Sequence, residues 1–94
     1  MRGTQVLGMQ LVPLSPSEVE ELGVSGLKVV SVDRRSPASG SLQPGDVITH
    51  VVLGNQGKPA TAALLKQLEQ KLSHGGGGRL VIVRDGYQLV LTLG

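Results

Sequence analysis

Residues 42–48, Leu42-Gln43-Pro44-Gly45-Asp46-Val47-Ile48, join a tight turn to the start of a strand. Proline fixes φ and removes a donor, glycine accepts the reversed backbone, and aspartate bonds to nearby amides, so Pro-Gly-Asp is turn chemistry. Val47 to Leu53 follows at once as an apolar run broken only by Thr49 and His50, which reads as a strand. Upstream, Ser36-Pro37-Ala38 pairs a capping residue with a first-turn proline, and only a very short helix fits before Gly40. Residues 27–32, Leu-Lys-Val-Val-Ser-Val, are rich in β-branched side chains and read as a second strand.

Further out, the apolar alternation over residues 6–14 predicts one strand ending near Pro13. Ser15, Pro16 and Glu18 form a capping box with a first-position proline, and Gly23 is a natural stop, so residues 15–23 predict one to two turns of helix. Downstream of the central strand, Asn55 to Pro59 is loop chemistry with a short extended piece near Lys58. Residues 61–72 predict the one long helix, capped by Thr61, with Leu64, Leu65, Leu68 and Leu72 on one stripe. Gly75 to Gly78 predicts a flexible link. Residues 79–84 and Tyr87 to Leu93 are strands joined at Asp85-Gly86, a two-residue hairpin signal. The expected architecture is α+β: a small antiparallel sheet or partly open barrel, capped by one long and one or two short helices. The 94 residues make a single domain.

Composition excludes several functions. Tyr87 is the sole aromatic and no Lys/Arg stripe is present, which argues against nucleic-acid binding. No cysteine is present, so thiol catalysis and Cys-ligated zinc are out, and two isolated histidines lack ligand spacing; no metal or cofactor is expected. No apolar run approaches the ~18 residues that span a bilayer, so no direct membrane insertion is expected. His50 and His74 stand apart from any strained serine elbow, so no catalytic residues are assigned to this chain. The run Gly75–Gly78 leaves a helix and enters a strand, the reverse of a phosphate loop.

Val6-Leu7-Gly8-Met9 admits two readings. A glycine between apolar residues can turn backbone N–H groups outward into a nest that holds a carboxylate. The following strand could then pair with an incoming peptide. The other reading is a glycine bulge at an ordinary strand start.

Taken together, these segments resemble a PDZ domain over residues 5–93. Leu42 to Ile48 looks like the family's Leu-x-Pro-Gly-Asp-x-Ile element, with Ser36-Pro37-Ala38 upstream and Gly26 to Val32 similar to the preceding strand. Val6-Leu7-Gly8-Met9 resembles its apolar-Gly-apolar carboxylate-binding loop. With that loop first and Tyr87–Leu93 last, the order is similar to the circularly permuted PDZ domains of HtrA/Deg (DegP-like) serine proteases, which follow a trypsin-like protease domain. Ser39-Gly40-Ser41-Leu42 runs one residue short of the family pattern, and Thr61 stands where many members have His.

The resemblance implies a peptide-binding regulatory domain of a longer, periplasmic, homo-oligomeric serine endopeptidase in protein quality control. The nucleophile would lie in the protease domain of the same chain, because the Gly-Asn-Ser-Gly-Gly motif is absent here. Ligands would be extended segments or protein C-termini with apolar end residues. Amides of Leu7, Gly8 and Met9 would hold the terminal carboxylate, and the peptide backbone would pair with Met9, Gln10 and Leu11. Leu7, Met9 and Leu11, with Thr61, Leu65 and Leu68 from the long helix, would line the side-chain pockets, leaving Leu64 and Leu72 to the core. Gly8→Val is expected to weaken binding without unfolding the domain. Two alternatives remain: a subunit-assembly or spacer domain, and the PDZ domain of a site-2-type membrane protease or secretion protein.

Overall fold

Every strand pairing in the computed structural model, which describes residues 3–94, is antiparallel. The elements are β1 (Thr4–Val6), β2 (Met9–Pro13), α1 (Pro16–Leu22), β3 (Leu27–Val32), β4 (Val47–Leu53), β5 (Gln56–Pro59), α2 (Ala62–Ser73), β6 (Gly78–Arg84) and β7 (Tyr87–Leu93). The sheet runs β1-β2-β3-β4-β6-β7, and β5 pairs with β4 beyond the point where β3 leaves it. This is the α+β class expected, an open antiparallel sheet with two helices.

The core follows from side-chain alternation. In β2, Met9 and Leu11 are buried while Gln10 is exposed. In β6, Leu80 and Ile82 are buried, and they meet Leu65 and Leu68 of α2, Val29 of β3, and Ile48 and Val51 of β4 in one cluster. Val47, Ile48 and Thr49 are buried in succession, where the β4–β6 register shifts between Ile48 and His50.

Asp85 and Gly86 both have positive φ, 53° and 81°, the geometry that lets a two-residue turn match the twist of the strands it joins. The capping box at α1 also forms: Ser15 Oγ accepts from the Glu18 amide, and the Glu18 carboxylate accepts from the Ser15 amide. Glu18 also receives a hydrogen bond from Lys28 Nζ on β3, which ties α1 to the sheet. The Lys28 ammonium first, and then the Ser15 amide, lower the Glu18 pKa from 4.5 to about 2. A carboxyl whose folded pKa is depressed stabilises the fold above its unfolded pKa and loses that contribution as pH falls through the folded one. The melting temperature should therefore decline between about pH 4.5 and pH 2 in the wild type, and less steeply in Glu18→Gln. Matching pH profiles for the two proteins would refute this. Added salt should flatten the wild-type slope, since the pair is exposed to solvent.

Four local expectations are corrected. The single strand over 6–14 is a hairpin, β1 and β2, folded at Leu7-Gly8. The very short helix after Ser36 is a succession of turns, with Ser39 N–H bonding Ser36 O and Leu42 N–H bonding Ala38 O. Gln56–Pro59 is a four-residue strand rather than a loop with a fragment. The glycine run is a close crossing, not a loose link. A Cβ on Gly77 would lie 2.2 Å from the Leu93 carbonyl oxygen, and Gly78 already belongs to β6. Glycine is needed there so that β6 can start against the end of β7 and the base of α2.

The Pro44-Gly45 turn is pinned from both sides. Gly45 N–H donates to Val29 O, and Val29 N–H donates to Asp46 O, each at 2.8 Å. The Asp46 side chain is 2% exposed. It accepts from the Gln43 amide and, in a fork, from Arg84 Nε and Nη2 at 2.9 and 2.7 Å. Arg84 also donates to Ser41 O. One buried carboxylate thus joins the turn before β4 to the end of β6.

Candidate functional site

Leu7 and Gly8 have φ of 56° and 75°, so both residues of the first turn are left-handed, as at Asp85-Gly86. For leucine this costs about 1–2 kcal/mol. Two contacts offset it. The Leu7 side chain is 1% exposed, and burial of that size contributes about 1.5–3 kcal/mol. Its N–H donates to Glu69 Oε2 of α2 at 2.7 Å, a charge-assisted bond. A backbone amide of the proposed carboxylate loop therefore does hold a carboxylate, and it is the protein's own.

β1 lies along β2 in register, Thr4 opposite Leu11, Gln5 opposite Gln10 and Val6 opposite Met9. β3 covers the other edge of β2, from Met9 opposite Val32 to Pro13 opposite Leu27. α2 packs against β1. β1 therefore occupies the place beside β2 and next to α2 where an added peptide strand was expected. The expectation that Met9, Gln10 and Leu11 offer a free edge is corrected on this point, because both their edges carry ladder partners.

The helix face is corrected as well. Leu65 and Leu68 are both fully buried in the core, whereas Leu64 and Leu72 are half-buried at its margin. At 3.6 residues per turn Leu68 lies near the middle of the leucine stripe and Leu65 at one edge, so that side of the stripe faces the core, while Leu72, between them in angle, is half-buried in the last turn of the helix. Thr61 caps α2, its hydroxyl accepting from the Leu64 amide, and is exposed. Gln10 is exposed too. The structure thus gathers Val6, Leu7, Met9, Leu11, Leu65 and Leu68 into one cluster as core, and leaves Gln10 and Thr61 at the surface.

Gly8 is fixed by its surroundings. Its carbonyl accepts from Asp33 N–H at 2.8 Å, and a Cβ built on it would lie 2.1 Å from Ser36 Cβ. The Gly8→Val change expected to act on binding alone would disturb the fold.

Sequence reasoning missed Glu69. It stands one turn beyond Leu65 on a helix face that reads as ordinary solvated charge, and nothing local signals that it reaches a loop 62 positions away. Elsewhere, His50 Nδ1 lies 3.0 Å from Thr49 Oγ1, but the Thr49 hydroxyl donates to the Val81 carbonyl inside the sheet. These two line a recess of about 400 Å³ with Val24, Ser25, Pro59 and Val83. Among the described residues no three His, Asp or Glu side chains gather in a metal-binding group, and no helix is long and apolar enough to cross a membrane.

Compared with known proteins, the chain matches no family model and no curated sequence.

Proposed function

We propose that this domain captures extended peptide segments and apolar protein C-termini by strand addition beside β2, and that in its resting state it holds its own β1 there. The observation that carries this reading is β1 itself. A short extended strand lies antiparallel on β2 next to α2, and it ends at an amide that binds a carboxylate. β1 and the Glu69 carboxylate together stand where the backbone and the terminal carboxylate of a captured C-terminus would lie. The Pro44-Gly45-Asp46 element and the order of strands support placing the domain among permuted PDZ domains. In that setting it serves the protease domain of a periplasmic HtrA/Deg-type serine endopeptidase in protein quality control, with the cutting done elsewhere in the polypeptide.

The occupied cleft sets the expected affinity. An open groove of this kind would bind at about micromolar Kd, near −8 kcal/mol. Displacing β1 exposes Val6, at a cost of about 1.5–3 kcal/mol, and so weakens the apparent Kd by roughly ten- to a hundredfold. Titration of the full chain with a peptide ending in valine or leucine should therefore saturate in the tens to hundreds of micromolar. Amide shifts should centre on residues 4–11. Glu69→Ala removes the competing carboxylate and should tighten binding about tenfold, the worth of one charged hydrogen bond. Unchanged affinity in that variant would detach the Leu7 amide from the site.

The closed edge of β2 favours a second reading, a subunit-assembly or spacer domain without a peptide ligand. Absence of saturable peptide binding to both the wild type and Glu69→Ala, together with concentration-dependent self-association in sedimentation, would establish that reading instead.

A further inference from the structure

α2 has two working flanks. At about 100° per residue, Leu64, Gln67 and Lys71 share an arc of about 60°, with Glu69 roughly opposite. Glu69 faces the Leu7 turn. On the other flank, α2 and the β4–β5 hairpin enclose a cleft of about 170 Å³. Leu53 and Leu64 give it an apolar patch over the buried Val51, and Gln56 and Lys58 of β5 with Gln67 and Lys71 of α2 give it polar walls. Leu53 and Leu64 are only half-buried, so apolar area there is still uncovered. The salt bridges among the described residues, Lys28–Glu18 and Arg84–Asp46, involve neither lysine. No carboxylate lines the cleft.

We propose that this cleft is a binding site for the carboxyl-terminal residue of a peptide bearing an aliphatic side chain. The side chain covers Leu53 and Leu64, and the α-carboxylate takes the charge that Lys58 and Lys71 leave unmatched. Size selects the ligand. Sites for drug-sized molecules run to about 300–1,000 Å³, whereas a cavity of about 150 Å³ takes one benzene. A cleft of about 170 Å³ that opens to solvent gives room for a leucine- or valine-sized group against Leu53 and Leu64. Charge selects the rest, because two unpaired cations beside an apolar surface favour an anionic end over a neutral or basic one. This site does not depend on the strand-addition reading: it uses other residues and requires no displacement of β1.

The test is an NMR titration of the full chain with an acetylated glycine-serine peptide ending in leucine, as the free acid and as the carboxamide. The free acid should shift amides of Lys58, Leu64 and Lys71 saturably, and the carboxamide should bind about two- to fivefold more weakly, as expected for exposed ion pairs. Lys58→Gln combined with Lys71→Gln, two exposed positions, should abolish that preference while leaving the fold intact. Three outcomes would overturn the proposal: equal binding of acid and carboxamide, shifts confined to residues 4–11, or no saturation at millimolar peptide. The second of these would at the same time support strand addition beside β2, so the two sites are judged separately.

Discussion

Asp46→Ala should lower the unfolding free energy by about 3–5 kcal/mol, because removing one member of a buried ion pair strands the other. The whole stability of a chain this size is about 5–14 kcal/mol, so this is a large share of it. In the intact protein Asp46 accepts three hydrogen bonds, two from Arg84 and one from the Gln43 amide. After truncation the Gln43 N–H and the guanidinium both lose their acceptor. Arg84 keeps 24% of its side-chain exposure, so water can partly solvate the abandoned charge, which puts the loss toward the lower end. The hydrogen bonds to Asp46 raise the Arg84 pKa above its ordinary value, so the guanidinium stays charged at any accessible pH. Denaturant titration gives the loss directly, and a thermal scan should show Tm reduced by about 20 °C. A double-mutant cycle with Arg84→Ala should return a coupling of about 1–3 kcal/mol. A loss below about 1 kcal/mol would show that the pair behaves as a surface contact.

Gly8→Ala should cost about 2–5 kcal/mol, from two separable sources. The positive φ of 75° imposes about 1–2 kcal/mol on any residue with a Cβ. Overpacking against Ser36, whose Cβ lies 2.1 Å from the new atom, adds about 1–3 kcal/mol. Ser36→Gly removes the second source and leaves the first. The double variant should therefore recover part of the loss, less whatever the Ser36 hydroxyl contributes through its hydrogen bond to Asp33 O. Unfolding curves of the two single variants and the double variant decide this. If Gly8→Ala lies within about 0.5 kcal/mol of wild type, the turn is adaptable and the close packing carries no energy.

The residues around Gly8 also show why the site was only partly legible. A two-residue turn with both φ positive normally announces itself by Asn-Gly or Asp-Gly, and Asp85-Gly86 carries that signal. Leu7-Gly8 has the same geometry with leucine in the first position, so it reads as part of one strand and leaves β1 unannounced. Leucine is held there by burial and by Glu69, and both of these arise from α2 far along the chain. The burial of Leu65 and Leu68 in the core is hidden for a related reason. A leucine stripe tells which side of a helix is apolar, but not whether its margin faces the core or a groove.

The local patterns of the chain were enough to place both helices, the strands β3, β4, β6 and β7 and the antiparallel character of the sheet, but not β1. The capping box at Ser15, the Thr61 cap, the Asp85-Gly86 turn and the period-two runs are short-range codes, written within a few residues and governed by backbone sterics and nearby hydrogen bonds. What fills the space beside β2, what the Leu7 amide binds, and what the Asp46 carboxylate does were decided only when the chain closed on itself. Each depends on a partner from another element: β1 against α2, Leu7 with Glu69, Asp46 with Arg84. Contacts of that range form between positions that no local pattern relates, so only the tertiary structure could assign them.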